Sequence, residues 1–191
     1  MFVFMNILEK FIKQVENRSL ENQNAFNLLY ENECYGVCIG IIRQELDSLL
    51  RVSYLIEFNG WCFNEFAFEL VKNSVESGEW RYLNNNKFKR VTDKEMLDKG
   101  GWESIVYDFG CGLIHLSNKH SYKHNSILNI SQNEKEKIID YMKKYHDFDK
   151  TDVDMNDIVE YLPRIYKKIR ENIDYYLEEI VSINKENRIF E

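Results

Sequence analysis

The sequence predicts an all-α fold: a single-domain helical bundle of four to five long helices plus short helices, occupying residues 1–191. Three observations carry this reading. Apolar residues recur at steps of three and four along most of the chain, the spacing of helices with one buried face. The 191 residues include one proline and eight glycines, too few for a sandwich or barrel that must turn every ~8–12 residues. Hydrophobic residues make up 44%, with 12 Tyr, 12 Phe and 3 Trp, enough to fill a sizeable core and to exclude a disordered chain. No stretch alternates convincingly as a strand.

The first helix is expected over about Phe2 to Asn17, with Phe4, Ile7, Leu8, Phe11, Ile12 and Val15 on one face. Residues 16–27 are polar with little periodicity, a stretch that contains a short helix ending near Tyr30. The second helix, about Glu33 to Phe58, carries a stripe formed by Tyr35, Cys38, Ile39, Ile42, Leu46, Leu49, Leu50 and Leu55. Gly36 and Gly40 sit on a neighbouring row and would admit another helix closely. Asn59-Gly60 ends it. A third helix, about Trp61 to Ser77, is rich in aromatic residues, and Gly78 reads as its C-cap.

Residues 78–91 read as an irregular basic loop. Asn84, Asn85 and Asn86 disfavour regular structure, and Arg81, Lys87, Lys89 and Arg90 follow one another with no acid between them. The segment is either a solvated loop or an arm that contacts an anionic partner. Thr92-Asp93-Lys94-Glu95 is a capping box that opens a short helix, stopped by Lys99-Gly100-Gly101. The next helix, about Trp102 to Ser117, buries Trp102, Ile105, Val106, Phe109, Leu113 and Leu116. Gly110 and Gly112 inside it each cost ~1 kcal/mol relative to Ala, which close packing would justify. Ser131 to Glu134 form a second capping box, for a helix ending near His146. A last helix spans about Asp154 to Ile183, acidic at its start as the helix dipole favours. Pro163 should kink it or open a second segment.

Net charge is −7, so the broad basic surface of a typical nucleic-acid-binding domain is excluded, though a local patch is not. The apolar start, Met1 to Met5, is too short to span a membrane and lacks the basic flank of a signal peptide. A cytoplasmic protein with no membrane partner is expected. Cys34, Cys38, Cys62 and Cys111 contain no CxxC pair, so they read as reduced core residues and not as a zinc site. The P-loop, GxGxxG, HExxH, GxSxG and Glu-x-x-His signatures are all missing. No cofactor and no metal are expected.

Two constellations could carry chemistry. Arg43, Asp47 and Arg51 recur every four residues along the second helix. They form a charge ladder or a polar patch able to hold a phosphate or carboxylate. The other is the segment from Cys111 to His124. No acid occurs from Phe109 to Asn133, in a chain with 32 acids, and His115, His120 and His124 all lie there. If the helix continues, His120 and His124 share a face, whereas His115 lies about 140° from His120, so a three-His metal site would need a break. Histidines suit proton transfer near neutral pH. Lys119 and Lys123 add cations, and Ser117, Asn118, Ser121 and Tyr122 add hydrogen-bonding groups. Cleavage of a phosphodiester without metal requires a base, an acid and a cation.

At these residues the chain resembles the HEPN-like superfamily of bacterial helical bundles. The likeness rests on the long second helix containing Arg43-Gln-Glu-Leu-Asp47, and on a helix ending in His115-Leu-Ser-Asn-Lys-His120-Ser-Tyr. It implies a metal-independent ribonuclease of a toxin–antitoxin or phage-defence system, acting as a dimer with a composite site at its interface. The partners so implied are RNA, a second copy of the chain, and a protein such as an antitoxin. His115 and His120 would be the catalytic or ligand-contacting pair. Arg43 would hold phosphate with Arg51 as a further cation, Asp47 would orient Arg43 or a histidine, and Asn118 and Lys119 would position the ligand. The chain departs from the family's Arg-x4–6-His motif: no Arg stands at that distance before any His, and His115 occupies the Arg position relative to His120. Either the site is reorganised or a binding role is left. The competing reading is a non-catalytic interaction module that homodimerises through its aromatic third helix and its C-terminal helix.

Overall fold

The computed structural model describes residues 2–97, 101–114, 128 and 130–187. Within them the chain is all-α apart from one small hairpin. The elements in order are α1 (Phe2–Glu31), α2 (Tyr35–Glu57), α3 (Glu65–Ser77), β1 (Arg81–Asn84), β2 (Lys87–Arg90), α4 (Asp93–Met96), α5 (Trp102–Ile114), α6 (Gln132–His146) and α7 (Met155–Asn187). Among the described residues no helix is long and apolar enough to cross a membrane.

The chain divides into two compact units. One comprises Met1–Asn22, Asp47–Met96 and Ile169–Glu191, the other Gln23–Leu46 and Leu97–Lys168. Helices α1, α2 and α7 each contribute a stretch to both. The core of the first unit includes Leu8 and Phe11 of α1, Leu49, Val52 and Leu55 of α2, Leu70 and Val71 of α3, and Ile173 and Ile180 of α7, all at 4% exposure or less. Phe11 stacks on the buried Trp80 with ring centroids 6.1 Å apart. In the second unit, Phe26 stacks on Tyr166 at 4.6 Å, and Cys38, Ile39, Ile42, Met142 and Leu162 are buried.

Helix α1 does not stop near Asn17 but runs on to Glu31. Its buried face continues through Val15, Ser19, Asn22 and Phe26, all at 9% exposure or less. The 4-3-4 step is intact, but two of those positions are polar, which hides it from hydropathy. Helix α3 begins at Glu65, four residues later than its aromatic content suggests, because Asn64 caps it by accepting a hydrogen bond from the Ala67 amide at 3.1 Å. Gly78 closes it in the left-handed region at φ 71°, as expected. The Ser131 capping box forms in full, with Glu134 accepting from the Ser131 amide at 2.9 Å, and at Thr92 the glutamate half forms, with Glu95 accepting from the Thr92 amide at 2.8 Å.

Residues 78–91, expected to be irregular, instead hold an antiparallel hairpin in which Arg81 faces Arg90 and Asn84 faces Lys87. The asparagines are the reason. Asn85 and Asn86 have φ of 49° and 62°, the positive values a two-residue hairpin turn demands and Asn tolerates. Helix α3 pins the hairpin: Asn73 Nδ2 donates to the Arg81 carbonyl and the Leu83 amide donates to Glu69 Oε1, each at 2.8 Å.

Gly40, the cysteines and the reading of Pro163 as the start of a second segment depart from expectation. No neighbouring atom lies within 4 Å of where a Cβ on Gly40 would sit, so that glycine serves no close approach. At Gly110 the close neighbour is the stem of Arg43, whose Cβ would lie 3.4 Å from an added Cβ. Of the four cysteines, Cys38 is buried while Cys34 is exposed. Burial pushes the Cys38 thiol up to about 11. Helix α7 passes through Pro163 as one element. Proline has no amide hydrogen, so the carbonyl four residues earlier, that of Val159, loses its helical donor. Tyr30 Oη donates to that carbonyl at 3.3 Å.

Tyr30→Phe keeps the ring and removes only this hydrogen bond. It should lower unfolding stability by about 1 kcal/mol in urea titration. Gly40→Ala should raise it by about 0.5–1 kcal/mol, because the helix gains propensity and meets no obstacle.

Candidate functional site

The hairpin has two unlike faces, because side chains alternate along each strand. Tyr82 and Lys89 share one face. Tyr82 meets the Phe66 ring edge-on at 4.7 Å, and Lys89 pairs with Glu95 at 3.2 Å. The opposite face is turned outward and carries Arg81, Leu83, Phe88 and Arg90. Phe88 is 57% exposed and Leu83 49%, and the Arg81 guanidinium lies 4.1 Å from the Phe88 ring centroid. Arg81 is paired with Glu79 at 2.5 Å. Arg90 on this face and Lys87 beside the turn are exposed, and neither has an acidic partner among the described residues. The result is an exposed aromatic ring flanked by two arginines, of which Arg90 is not neutralised, with Lys87 on the other face of the strand.

Asp47 and Arg51 come together as their spacing predicts. Arg51 grips the carboxylate with two nitrogens, Nη2 at 2.8 Å and Nε at 3.1 Å. Arg18 of α1 adds a contact at 3.3 Å. Arg51 also lies 3.7 Å from Asp93 and 5.4 Å from the Trp80 ring centroid. Burial by itself would raise the Asp47 carboxyl, but the guanidinium groups of Arg51 and Arg18 together hold it below the usual carboxylate range. The arrangement is a neutralised ladder that ties α1 to α2 within the first unit.

Arg43 belongs to the second unit, where its guanidinium lies over the Tyr107 ring at 4.0 Å and the residue is only 8% exposed. His115, Asn118, Lys119 and His120 lie outside the described residues, as does His124. Among the described residues no group of three or more His, Cys, Asp or Glu side chains could hold a metal ion.

Sequence reasoning missed two features. One is the outward face of the hairpin, although Asn-Asn between two short segments of mixed aromatic and basic residues was a usable signal. The other lies in the second unit. There Lys168 of α7 donates to Tyr141 Oη of α6 at 3.1 Å, and His146 Nε2 stands 3.4 Å from the same oxygen. These residues are 27 and 5 positions apart from Tyr141, and only the packing of α6 against α7 joins them.

Asp47→Asn should destabilise the protein by about 1–3 kcal/mol at pH 7, since it leaves charged donors without their anion. The folded-state pKa of Asp47 is depressed, so this contribution is present above the unfolded value near ~3.9. It is lost as pH falls through the folded value. The gap between wild type and variant, followed by thermal unfolding, should therefore close at the acid end. No protein-family model, no curated protein and no solved structure matches this chain.

Proposed function

We propose that this chain is a HEPN-like helical protein that binds RNA, with the outward face of the β1–β2 hairpin as its contact arm. The observation that supports this is Phe88, more than half exposed, on the same face as Arg90, which has no acidic partner among the described residues; Lys87, next to Phe88 in the strand and on its other face, has none either. A single-stranded nucleic acid offers two things to such a surface: a flat base to stack on an aromatic ring and a phosphate to meet a cation. The net charge of −7 suits a local, arm-like contact, because the surrounding acidic surface would repel the rest of a polyanion. On this reading His115 and His120 supply the base and acid of a metal-independent ribonuclease, with Asn118 and Lys119 positioning the strand.

Fluorescence anisotropy with a labelled single-stranded RNA across a salt series tests this. Affinity should fall log-linearly with salt. Lys87→Ala and Arg90→Ala should each weaken binding and reduce the slope by about 0.7. Phe88→Ala should cost about 1–3 kcal/mol with the slope unchanged. His120→Ala should abolish cleavage while leaving binding intact. Binding that ignores salt, or that survives all three hairpin substitutions, overturns the reading. Self-association lost on Phe88→Ala, with no RNA binding, would assign the face to a protein partner.

A further inference from the structure

The second unit contains an apolar cavity of about 50 Å³ among α2, α5, α6 and α7. Ile42, Val106, Phe109, Met142, Leu162 and Ile165 contribute to its wall. Trp102, Tyr141 and Tyr161 also line it, and cations lie against these same rings. The Lys168 ammonium lies 4.4 Å from the Trp102 ring centroid, 5.4 Å from that of Tyr141 and 5.6 Å from that of Tyr145. The Arg164 guanidinium lies 5.2 Å from the Tyr161 ring centroid. His146 stands in the same cluster, meeting Tyr161 edge-on at 5.1 Å.

Lys168 is half-buried and has no carboxylate partner among the described residues. Aromatic faces soften the loss of hydration around a cation but do not cancel its charge. The field of that charge is felt next door. His146 is held below its ordinary pKa, first by burial and then by Lys168 and Arg164, with Asp147 acting weakly the other way. Of the three ammonium N–H donors, one is directed at Tyr141 Oη, which leaves donors for an incoming anion.

We propose that the cavity and the cation beside its rings form a binding site for a small carboxylate with a branched aliphatic tail. The carboxylate meets Lys168 beside the Tyr141 hydroxyl and the tail enters the cavity. Each part has its reason. Apolar cavities of this kind stay dry and accept apolar groups, and the volume has room for about four carbon atoms. A compact anion supplies the charge that Lys168 lacks, and a carboxylate can accept from Lys168 and from the Tyr141 hydroxyl at once. An uncharged molecule of the same shape would fill the cavity and leave the cation as it is.

Isothermal titration calorimetry on the intact protein with 3-methylbutanoate and with 3-methylbutanamide separates these contributions. The carboxylate should bind at least tenfold more tightly than the amide. Lys168→Met, which keeps the aliphatic stem among the rings and removes the charge, should bring the carboxylate down to the affinity of the amide. Equal affinities for acid and amide overturn the proposal, as does binding of neither or a Lys168→Met protein that still prefers the acid. If Lys168→Met does not fold, the acid-to-amide ratio of the wild-type protein decides alone.

Discussion

A proline inside a helix of 33 residues sets the constraint that the rest of the architecture has to meet. Helix α7 furnishes the Ile169, Ile173, Leu177 and Ile180 face of one unit and the Ile158, Leu162 and Tyr166 face of the other. Pro163 falls within the second of those stretches, next to Leu162, and deprives the Val159 carbonyl of its helical donor. A carbonyl left without a partner in a part-buried place costs about as much as the protein gains from several surface ion pairs. Tyr30 supplies the missing donor from the end of α1. Its ring meanwhile stacks on Phe26 and meets Tyr35 edge-on. The same tyrosine thus repairs α7 and seats the α1–α2 connection.

Most of this fold was legible in the sequence, and the exceptions share a cause. Caps were read correctly because Thr92, Ser131 and Gly78 act within three or four residues of themselves, where spacing in sequence is spacing in space. The stripe of α2 was legible for the same reason. What escaped was decided by tertiary packing or by residue identity overriding type. Ser19 and Asn22 are buried on α1 although they are polar, so hydropathy ended the helix too early. Asn85 and Asn86 were read as breakers of regular structure, whereas they form the turn that makes a hairpin possible. Gly40 was credited with admitting a neighbour, a matter that depends on what lies opposite and that no single helix encodes.

The candidate sites divide along similar lines. The Asp47–Arg51 pair was predictable, because an i, i+4 spacing fixes it. Arg18, which joins the pair from 29 residues away, was not. The cluster of Tyr141, His146 and Lys168 offered no motif at all, since α6 and α7 are separately ordinary amphipathic helices. In both units electrostatic bookkeeping separates structural cations from functional candidates. Arg51 is spoken for by Asp47, and its charge serves the fold. Arg90, Lys87 and Lys168 have no acid against them among the described residues, and it is at such places that a ligand has something to add.

The hairpin has a further consequence, for colloidal behaviour. A two-stranded sheet offers two edges, and an exposed edge is a template on which another chain can add a strand. Here the β1 edge is occupied, because Asn73 takes the Arg81 carbonyl and Glu69 takes the Leu83 amide. The β2 edge carries three cations in four residues, Lys87, Lys89 and Arg90, so an approaching copy of the same strand meets like charge along its length. The hairpin can therefore expose Leu83 and Phe88 to solvent without seeding aggregation through its backbone.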